Sequence, residues 1–415
     1  MGAAKRAGKG GAPRARRAKR EGDPVEGILS GDLKMHDLDG SFGPDIGAQL
    51  RRAAAERATG TRLRAVASTV IRPDEAAKNT ENFVGAAQVP LGLAGPLRVQ
   101  GEHARGEFYL PLATTEGALV ASTNRGCSIV NAGGGARVRI LADAMTRAPA
   151  FVCRDVEHLM GTRRWVQEHL EPIRKAAEGT TSHGKLLGIS PYAVGRTLFL
   201  RFHYQTGDAM GMNMATLATE AAARVIEKGT GARLAALSGN MCTDKKAASI
   251  NLTEGRGKSV IAEVTLSEKL VKQRLHATPA QIIDVNTRKN LVGSAKAGSL
   301  GYNAHFANVL AAVFIATGQD AAQVVDGSLG FTTAEADGDG LYFAVSLPAL
   351  EVGTVGGGTR FATQQECLQL MGCAGAGKSR KFAEIVAAGV LAGELSLMGA
   401  MAAGQLGKAH ARLGR

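Results

Sequence analysis

Aromatic side chains are scarce in this chain. They make up 4% of 415 residues, with a single Trp, and that excludes a binding surface built from stacked rings. The five cysteines, Cys127, Cys153, Cys242, Cys367 and Cys373, are odd in number and form no C-x-x-C pair and no metal-ligand spacing. No metal site is expected, and a reducing, cytoplasmic compartment is the simplest reading. No uninterrupted apolar run reaches the ~18 residues needed to cross a bilayer. The longest candidate, near the C-terminus, is broken by Glu394, so no membrane partner is expected. The N-terminus has no apolar h-region and does not read as a secretory signal. A Rossmann G-x-G-x-x-G is absent, and so is any internal repeat.

Charge is not balanced: the formal net charge is +13. Lys5, Arg6, Lys9, Arg14, Arg16, Arg17, Lys19 and Arg20 all precede the first acid, Glu21, and leave +5 for the rest. No aromatics interleave with these cations, which argues against a specific nucleic-acid partner. The segment is Arg-rich and acid-poor like an organellar transit peptide, but its glycines, Pro13 and Pro24 oppose an amphipathic helix. Residues 1–25 therefore read as a disordered basic tail.

What is abundant is glycine, 54 residues, within an ordinary apolar fraction of 45%. That combination favours Ala-rich helices, close backbone packing and Gly-rich ligand loops. The length fits two or three domains. Ile46, Leu50, Ala54 and Ala58 recur at every fourth position, which predicts a helix over 44–68. Residues 80–112 change to short apolar runs punctuated by Pro90, Gly92, Gly95 and Pro96, with a strand at Phe108–Leu110. A helix over 115–130 is predicted, opened by Thr114 and Thr115 with Glu116 in its first turn. Residues 150–236 have a different texture. A strand at 150–153, a charged helix at 157–178, a half-alternating strand at 197–203 and a long helix after Gly207 read as a small α+β unit.

Several motifs could carry chemistry. Ser238-Gly239-Asn240-Met241-Cys242-Thr243-Asp244-Lys245-Lys246 packs two adjacent ammonium groups, a carboxylate and small polar side chains into nine residues. Paired cations repel unless an anion or a developing oxyanion answers them, yet taken alone Asp-Lys-Lys reads as a solvated turn. Gly372–Ser379 matches the P-loop pattern G-x-x-x-x-G-K-S, with Lys378 in the phosphate-binding place. A P-loop needs a buried strand before it, and Cys367, Leu368, Leu370 and Met371 instead fit one face of a helix. A Gly-rich inter-helix loop is expected there. Gly353–Thr359 is a second Gly-rich loop, open to a ligand's close approach. Gly207–Met214 joins a strand to a helix and sets three methionines beside an anion-friendly helix start.

In order along the chain, the blocks ENFVGAAQVPLGLAGP (81–96), PLATTEGALVASTNRGC (111–127), GDAMGMNM (207–214) and SGNMCTDKKAASINLTEGRGKS (238–259) are followed by RKNLVGSAKAGSLGYNAHFAN (288–308), ATGQDAAQ (316–323), EVGTVGGGT (351–359) and AGELSLMGAMAAG (392–404). Together they resemble the catalytic portion of the 3-hydroxy-3-methylglutaryl-coenzyme A (HMG-CoA) reductase family over about four-fifths of the chain. DAMGMNM and CTDKK resemble the class that includes eukaryotic and archaeal members.

The resemblance implies a four-electron reduction of the HMG-CoA thioester to mevalonate and free CoA with two NADPH, NADH being the weaker expectation. The reverse, degradative direction stays open. It implies that Glu116 is the general acid, that Lys245 stabilises the oxyanion, that Asp320 tunes both, and that His410 protonates the departing thiolate. Substrate contacts are implied for Arg147, Ser238, Asp244, Lys246, Lys289 and Asn308, and CoA contacts for Ser122, Arg125 and His305. Dinucleotide contacts are implied for Asp208, Met210, Gly211, Met212 and Asn213, and for Gly356, Gly357 and Gly358. Ser182, His183 and Lys185 occupy the 2′-phosphate loop, where many relatives carry Arg. Other departures are Ala86 and Ala87 in place of an aromatic, and Gln405 in place of an additional His.

The implied fold is α+β and non-Rossmann: a large domain around a long central helix, with a small ferredoxin-like nucleotide-binding domain inserted in it. On that basis the chain divides into a tail (1–25), an N-terminal helical segment (26–79), a large HMG-CoA domain (80–149 and 237–400), a small NADP(H) domain (150–236) and a mobile C-terminal flap (401–415). A homodimer or homotetramer with active sites at the subunit interface is implied. A soluble, prokaryotic form is expected, since no membrane domain precedes the catalytic part. The rival enzyme reading is a P-loop nucleotide-binding protein using Lys378.

Overall fold

A computed structural model of the chain describes residues 22–404. His410, Gln405 and most of the basic tail lie outside the described residues. The chain forms two compact units, one ending at Gln88 and one beginning at Val89.

In the first unit, Asp23 caps the helix Pro24–Ser30 by accepting the N–H of Val25, so helix begins inside the segment read as tail. The helix expected over 44–68 spans Pro44–Thr59. Gly60 ends it in the left-handed conformation (φ 71°), and a separate short turn, Arg64–Ala67, follows. Glycine stops the helix there because it alone takes that conformation without a Cβ clash.

The second unit is built on eleven strands: β1 (Leu91–Gln100), β2 (Arg105–Ala113), β3 (Ala136–Arg147), β4 (Ala150–Val152), β5 (Lys185–Val194), β6 (Thr197–Gln205), β7 (Arg233–Ala236), β8 (Gly257–Leu266), β9 (Gly301–Tyr302), β10 (Gly330–Asp337) and β11 (Gly340–Leu350). Their order is β7-β4-β6-β3-β8-β11-β10-β9, with the β1–β2 hairpin attached to β3 and β5 attached to β6. In β8, Val260, Ala262, Val264 and Leu266 are buried while the residues between them are half-exposed. That is the two-residue alternation of a sheet with one covered face. Strand β3 pairs with β1 at its start and then runs along two further strands. Arg137–Ala144 run antiparallel to β8, and Met145–Arg147 run antiparallel to β6. A register irregularity between Ile140 and Ala142 lies within the β8-paired stretch, a few residues before the change of partner.

The main core closes on the helix Ser379–Ala402, whose 24 residues are mostly buried. Length and a mean hydropathy of 1.8 would let it cross a membrane, but 83% of its apolar window lies inside the fold. Small residues make this possible: at Gly126 any Cβ would collide with the carbonyl of Ala392, so the helix Leu119–Ala132 approaches the central helix through glycine. A separate apolar cluster gathers Met145, Phe151, Leu159, Leu198, Phe202 and Ile226.

Two further helix expectations are corrected. The helix expected over 157–178 is two helices, Val156–Glu168 and Leu170–Glu178. Pro172 lies in the first turn of the second and has no N–H to give to the carbonyl of Glu168. The helix expected over 115–130 begins at Leu119, after Ala118 in the left-handed conformation (φ 72°). Glu116 therefore sits in the loop before the helix, and the hydroxyl of Thr114 accepts its N–H at 3.0 Å.

Candidate functional site

The loop from Ser238 to Lys246 is wound tightly. Asn240, Thr243 and Lys245 all have left-handed backbones (φ 61°, 54° and 58°), which is uncommon for residues with a Cβ and an outlier for β-branched Thr. The winding turns Lys245 toward the helix that ends at Thr317. Its ammonium lies 2.8 Å from Oδ2 of Asp320. That hydrogen bond raises the pKa of Lys245 against a weaker opposing effect of burial, which favours the charged ammonium. Asp320 itself caps the turn Ala321–Gln323 by accepting the N–H of Ala322.

The other substrate-class residues of this loop are linked around the same point. Arg147, at the end of β3, donates to the hydroxyl of Thr216 at 2.7 Å and reaches Sγ of Cys242 at 4.0 Å. Ser238 lies 3.3 Å from the same sulfur. Asp244 accepts from Gln323 at 2.9 Å and from Arg256 at 3.1 Å. Burial would raise its pKa, but those partners hold it below the ordinary value. Lys246 is exposed, its ammonium bonded to the carbonyl of Asp244.

Glu116 belongs to a second cluster. Its Oε1 accepts from Asn308 at 3.0 Å, and both residues line a cavity of about 360 Å³ with Ser122, Arg125, His305 and Met401. Arg125 is anchored by bonds to Ser396 Oγ and to the Ser396 carbonyl, and Ser122 shares that hydroxyl at 2.9 Å. His305 is held from behind: its N–H and that of Ala304 both donate to the buried carboxylate of Glu394. His305 Nε2 is buried and has no hydrogen-bond partner among the described residues; Glu394 Oε2 lies 4.0 Å away. The cavity thus gathers the predicted acid, all three predicted CoA residues and Asn308.

The two clusters are anchored at opposite ends of one helix, Phe306–Thr317. At 1.5 Å per residue, roughly 13 Å of rise separates Asn308 from Thr317. Within the described residues no hydrogen bond joins Glu116 to Lys245 or Asp320. Lys289 is not brought to either cluster. It is exposed on the segment Asn286–Gly293, and its side chain forms no hydrogen bond or ion pair among the described residues.

Three Gly-rich segments meet beside the Lys245 cluster. Asp208 accepts the N–H groups of Gly377, Lys378 and Ser379 at 2.6–3.0 Å, and its carbonyl accepts the N–H of Thr354 at 2.8 Å. Burial opposes ionisation of Asp208, but the backbone donors lower its pKa. A Cβ on Gly353 would stand 2.6 Å from the N of Met210, so the 353–359 loop touches the methionine segment directly. Gln319, next to Asp320, accepts the N–H of Gly353 through its side-chain oxygen at 2.9 Å. Gly356 and Gly357 have positive φ (76° and 54°) with open space where a Cβ would be. That leaves a cradle suited to a phosphate-bearing ligand. Gly211 (φ 90°) and Met212 start the helix Met212–Thr230, and Asn213 is exposed on its first turn.

In the loop after the helix Leu170–Glu178, Ser182 and His183 are exposed, and the hydroxyl of Thr181 turns the loop by accepting the N–H groups of His183 and Gly184. The ammonium of Lys185 is 2.9 Å from Glu178.

These contacts leave the P-loop reading without support. The segment before Gly372 is the helix Ala362–Leu370, as its apolar spacing predicts, and not a strand. The backbone amides that would cradle a phosphate already hold the carboxylate of Asp208.

Sequence reasoning missed a buried polar network beneath the Lys245 loop. Arg256, fully buried, bonds Glu351, Asp244, Gln323 and the hydroxyl of Thr146. Asp326 accepts the N–H of Lys245 at 2.8 Å and the side-chain amide of Asn251 at 2.6 Å. The one available signal was Arg256 set between Gly255 and Gly257, just before the half-alternating strand β8.

Comparison with known proteins gives a consistent result. A family model described as hydroxymethylglutaryl-coenzyme A reductase matches residues 47–415. A 3-hydroxy-3-methylglutaryl-coenzyme A reductase of Methanocaldococcus jannaschii is 53% identical over 400 residues, covering 95% of this chain and 99% of that protein. One from Aeropyrum pernix is 50% identical over 414 residues, covering 98% of each. One from Xenopus laevis is 46% identical over 343 residues, 80% of this chain and 38% of that longer protein. Among solved structures, the class II 3-hydroxy-3-methylglutaryl-CoA reductase from Streptococcus pneumoniae bound to NADPH in open conformations shares the fold. Its TM-score is 0.65 and its identity 19%, covering 93% of this chain and 98% of that one.

Proposed function

The chain belongs to the hydroxymethylglutaryl-coenzyme A reductase family, and from that premise we propose that it reduces the thioester of HMG-CoA to mevalonate and free CoA with two NADPH, for isoprenoid precursor synthesis. The observation that carries the mechanism is the ammonium of Lys245 fixed 2.8 Å from Asp320. A preorganised cation of this kind stabilises the charge that develops on a carbonyl oxygen when hydride arrives. Asp320 keeps the ammonium charged and aimed. Glu116, on the rim of the cavity beside Asn308, is the proton donor to the reduced carbonyl. Arg147, Ser238, Asp244, Lys246 and Asn308 bind the substrate's carboxylate and hydroxyl, whereas Lys289, which lies apart from both clusters, can join them only from a neighbouring subunit. Ser122, Arg125 and His305 hold CoA in the cavity of about 360 Å³.

The Gly-rich cradle supports dinucleotide binding by Asp208, Met210, Gly211, Met212, Asn213 and Gly356–Gly358. NADPH, when bound, supplies the hydride. Lys185 is engaged by Glu178, so discrimination for the 2′-phosphate falls mainly to Ser182 and His183. His410 protonates the CoA thiolate. Truncation after Gly407 should leave substrate and dinucleotide binding intact and slow thioester reduction, and unchanged turnover would remove His410 from that role.

The small nucleotide domain comprises 150–236 and the large domain 80–149 with 237–400. The separate apolar cluster and the shared strand β3 support that division. The active form is a homodimer or homotetramer with each active site shared between subunits. This fits the placement of the Glu116 and Lys245 clusters at two ends of one helix.

Following NADPH absorbance with HMG-CoA tests the reading, with NADH in parallel. The wild type should oxidise NADPH only when HMG-CoA is present. Lys245→Ala should lose about 10²–10³ in kcat, as when one oxyanion donor is removed. A wild type inactive toward HMG-CoA, or a fully active Lys245→Ala, refutes it.

A further inference from the structure

Lys245 is held at both ends by one short segment. Asp320 takes its ammonium, and Asp326, six positions later, takes its backbone N–H at 2.8 Å. The other oxygen of Asp326 accepts from the amide of Asn251 at 2.6 Å, and that amide also reaches the carbonyl of Thr243 at 3.4 Å. Both oxygens therefore serve the stretch in which Thr243 and Lys245 are left-handed. Such backbones cost free energy and persist only where the surroundings over-determine them.

Asp326 is completely buried, yet it forms no ion pair among the described residues. The guanidinium of Arg256 bonds Asp244 and Glu351 instead. A buried carboxyl without a direct counter-charge is an expensive choice if packing alone were needed, since an apolar side chain would fill the space at less cost. Burial lifts its pKa to about 6, with Arg256 and the two hydrogen bonds opposing. What an apolar side chain could not do is accept the N–H of Lys245.

We infer that Asp326 is a positioning residue for the reduction: by holding the backbone N–H of Lys245 and, through Asn251, the carbonyl of Thr243, it sets the direction in which the ammonium of Lys245 leaves the loop. This rests on the reductase reading. Asp326 touches no reacting atom, and its effect appears in the chemical step rather than in dinucleotide binding.

Three variants test it in the full-length protein, with HMG-CoA and NADPH. Asp326→Ala removes both acceptors. Asp326→Asn keeps the shape but turns one amide N–H₂ against that of Asn251. The exchange Asp326→Asn with Asn251→Asp restores a donor–acceptor pair. It also leaves an oxygen for the Lys245 N–H and sets the new carboxylate against the guanidinium of Arg201, now 3.3 Å from Asn251 Oδ1.

The single variants should lose at least about tenfold in kcat, as sub-ångström to ångström misplacement does, with the KM for NADPH within about twofold of wild type. The exchange should recover kcat to within about threefold of wild type. A folded Asp326→Asn within twofold of wild-type kcat overturns the proposal. So does an exchange variant that folds without recovering kcat, and so does failure of all three to fold, since the role would then lie in folding. If the wild type itself ignores HMG-CoA, the reductase reading has failed and this inference falls with it. An active wild type with unaffected variants sinks this inference alone.

Discussion

Asp208 accepts the backbone N–H of Ser379, the first residue of the central helix, at 3.0 Å. With Gly377 and Lys378 donating to the same carboxylate, a side chain fills the place that a phosphate would take in a P-loop. It satisfies amides at a helix N-terminus that have no partner within the helix.

The side chain of Lys378 is then free of any phosphate-binding duty. Lys378→Ala should change kcat and both KM values by less than about twofold, whereas Asp208→Ala leaves at least three amides seeking partners and should cost about 1–3 kcal/mol of stability. Steady-state kinetics and urea unfolding measure the two. Loss of activity in Lys378→Ala would revive a nucleotide triphosphate role.

Arg256 and Glu351 are both completely buried and hydrogen-bonded to each other. Burial pushes the Glu351 carboxyl well up, against the pull of Arg256. Removing one member strands the other, so Glu351→Ala should destabilise by about 3–5 kcal/mol. Arg256→Met with Glu351→Leu should recover much of that in urea unfolding. Recovery of stability without recovery of kcat would place Arg256 and its partner Asp244 in the function of the Lys245 loop.

Glu384 lies inside the central helix, and its carboxylate accepts the N–H groups of Glu102, His103 and Ala104 at the tip of the β1–β2 hairpin. Glu384→Gln turns one acceptor into a donor facing donors, at a cost of about 1–3 kcal/mol. Hydrogen exchange at residues 102–104 should speed up in that variant. Unchanged exchange would show that the hairpin tip is held by its own turn.

The raised pKa of Asp326 predicts a pH dependence with a definite sign. Its folded value, about 6, lies above the ordinary 3.8. The folded state therefore binds this proton more tightly, and the stability it contributes is full below the unfolded pKa and lost as pH rises through the folded one. Asp208 and Asp244, with lowered values, act in the opposite sense in wild type and variant alike. The Tm of wild type minus that of Asp326→Asn should therefore grow as pH falls from about 6 to about 4 and stay level above roughly 7. A difference level over the whole range would mean that Asp326 does not titrate there.

Local pattern carried much of this protein. The spacing of Cys367, Leu368, Leu370 and Met371 was enough to make 362–370 a helix and so to disqualify the P-loop. The four-residue recurrence of Ile46, Leu50, Ala54 and Ala58 marked the helix that starts at Pro44, and the ordered blocks from ENFVGAAQVPLGLAGP onward placed the chain in its family. Periodicity and short motifs depend on neighbours within a few residues, so they are written in the chain itself. What only the tertiary structure decided was pairing at long range. It set Lys245 against Asp320 across 75 positions, Asp208 against Ser379 across 171, and Arg256 against Glu351 across 95. It also moved Glu116 out of the helix it was expected to begin. Such contacts depend on how strands and helices stack, and on which buried polar atoms still need a partner once the apolar surfaces have closed.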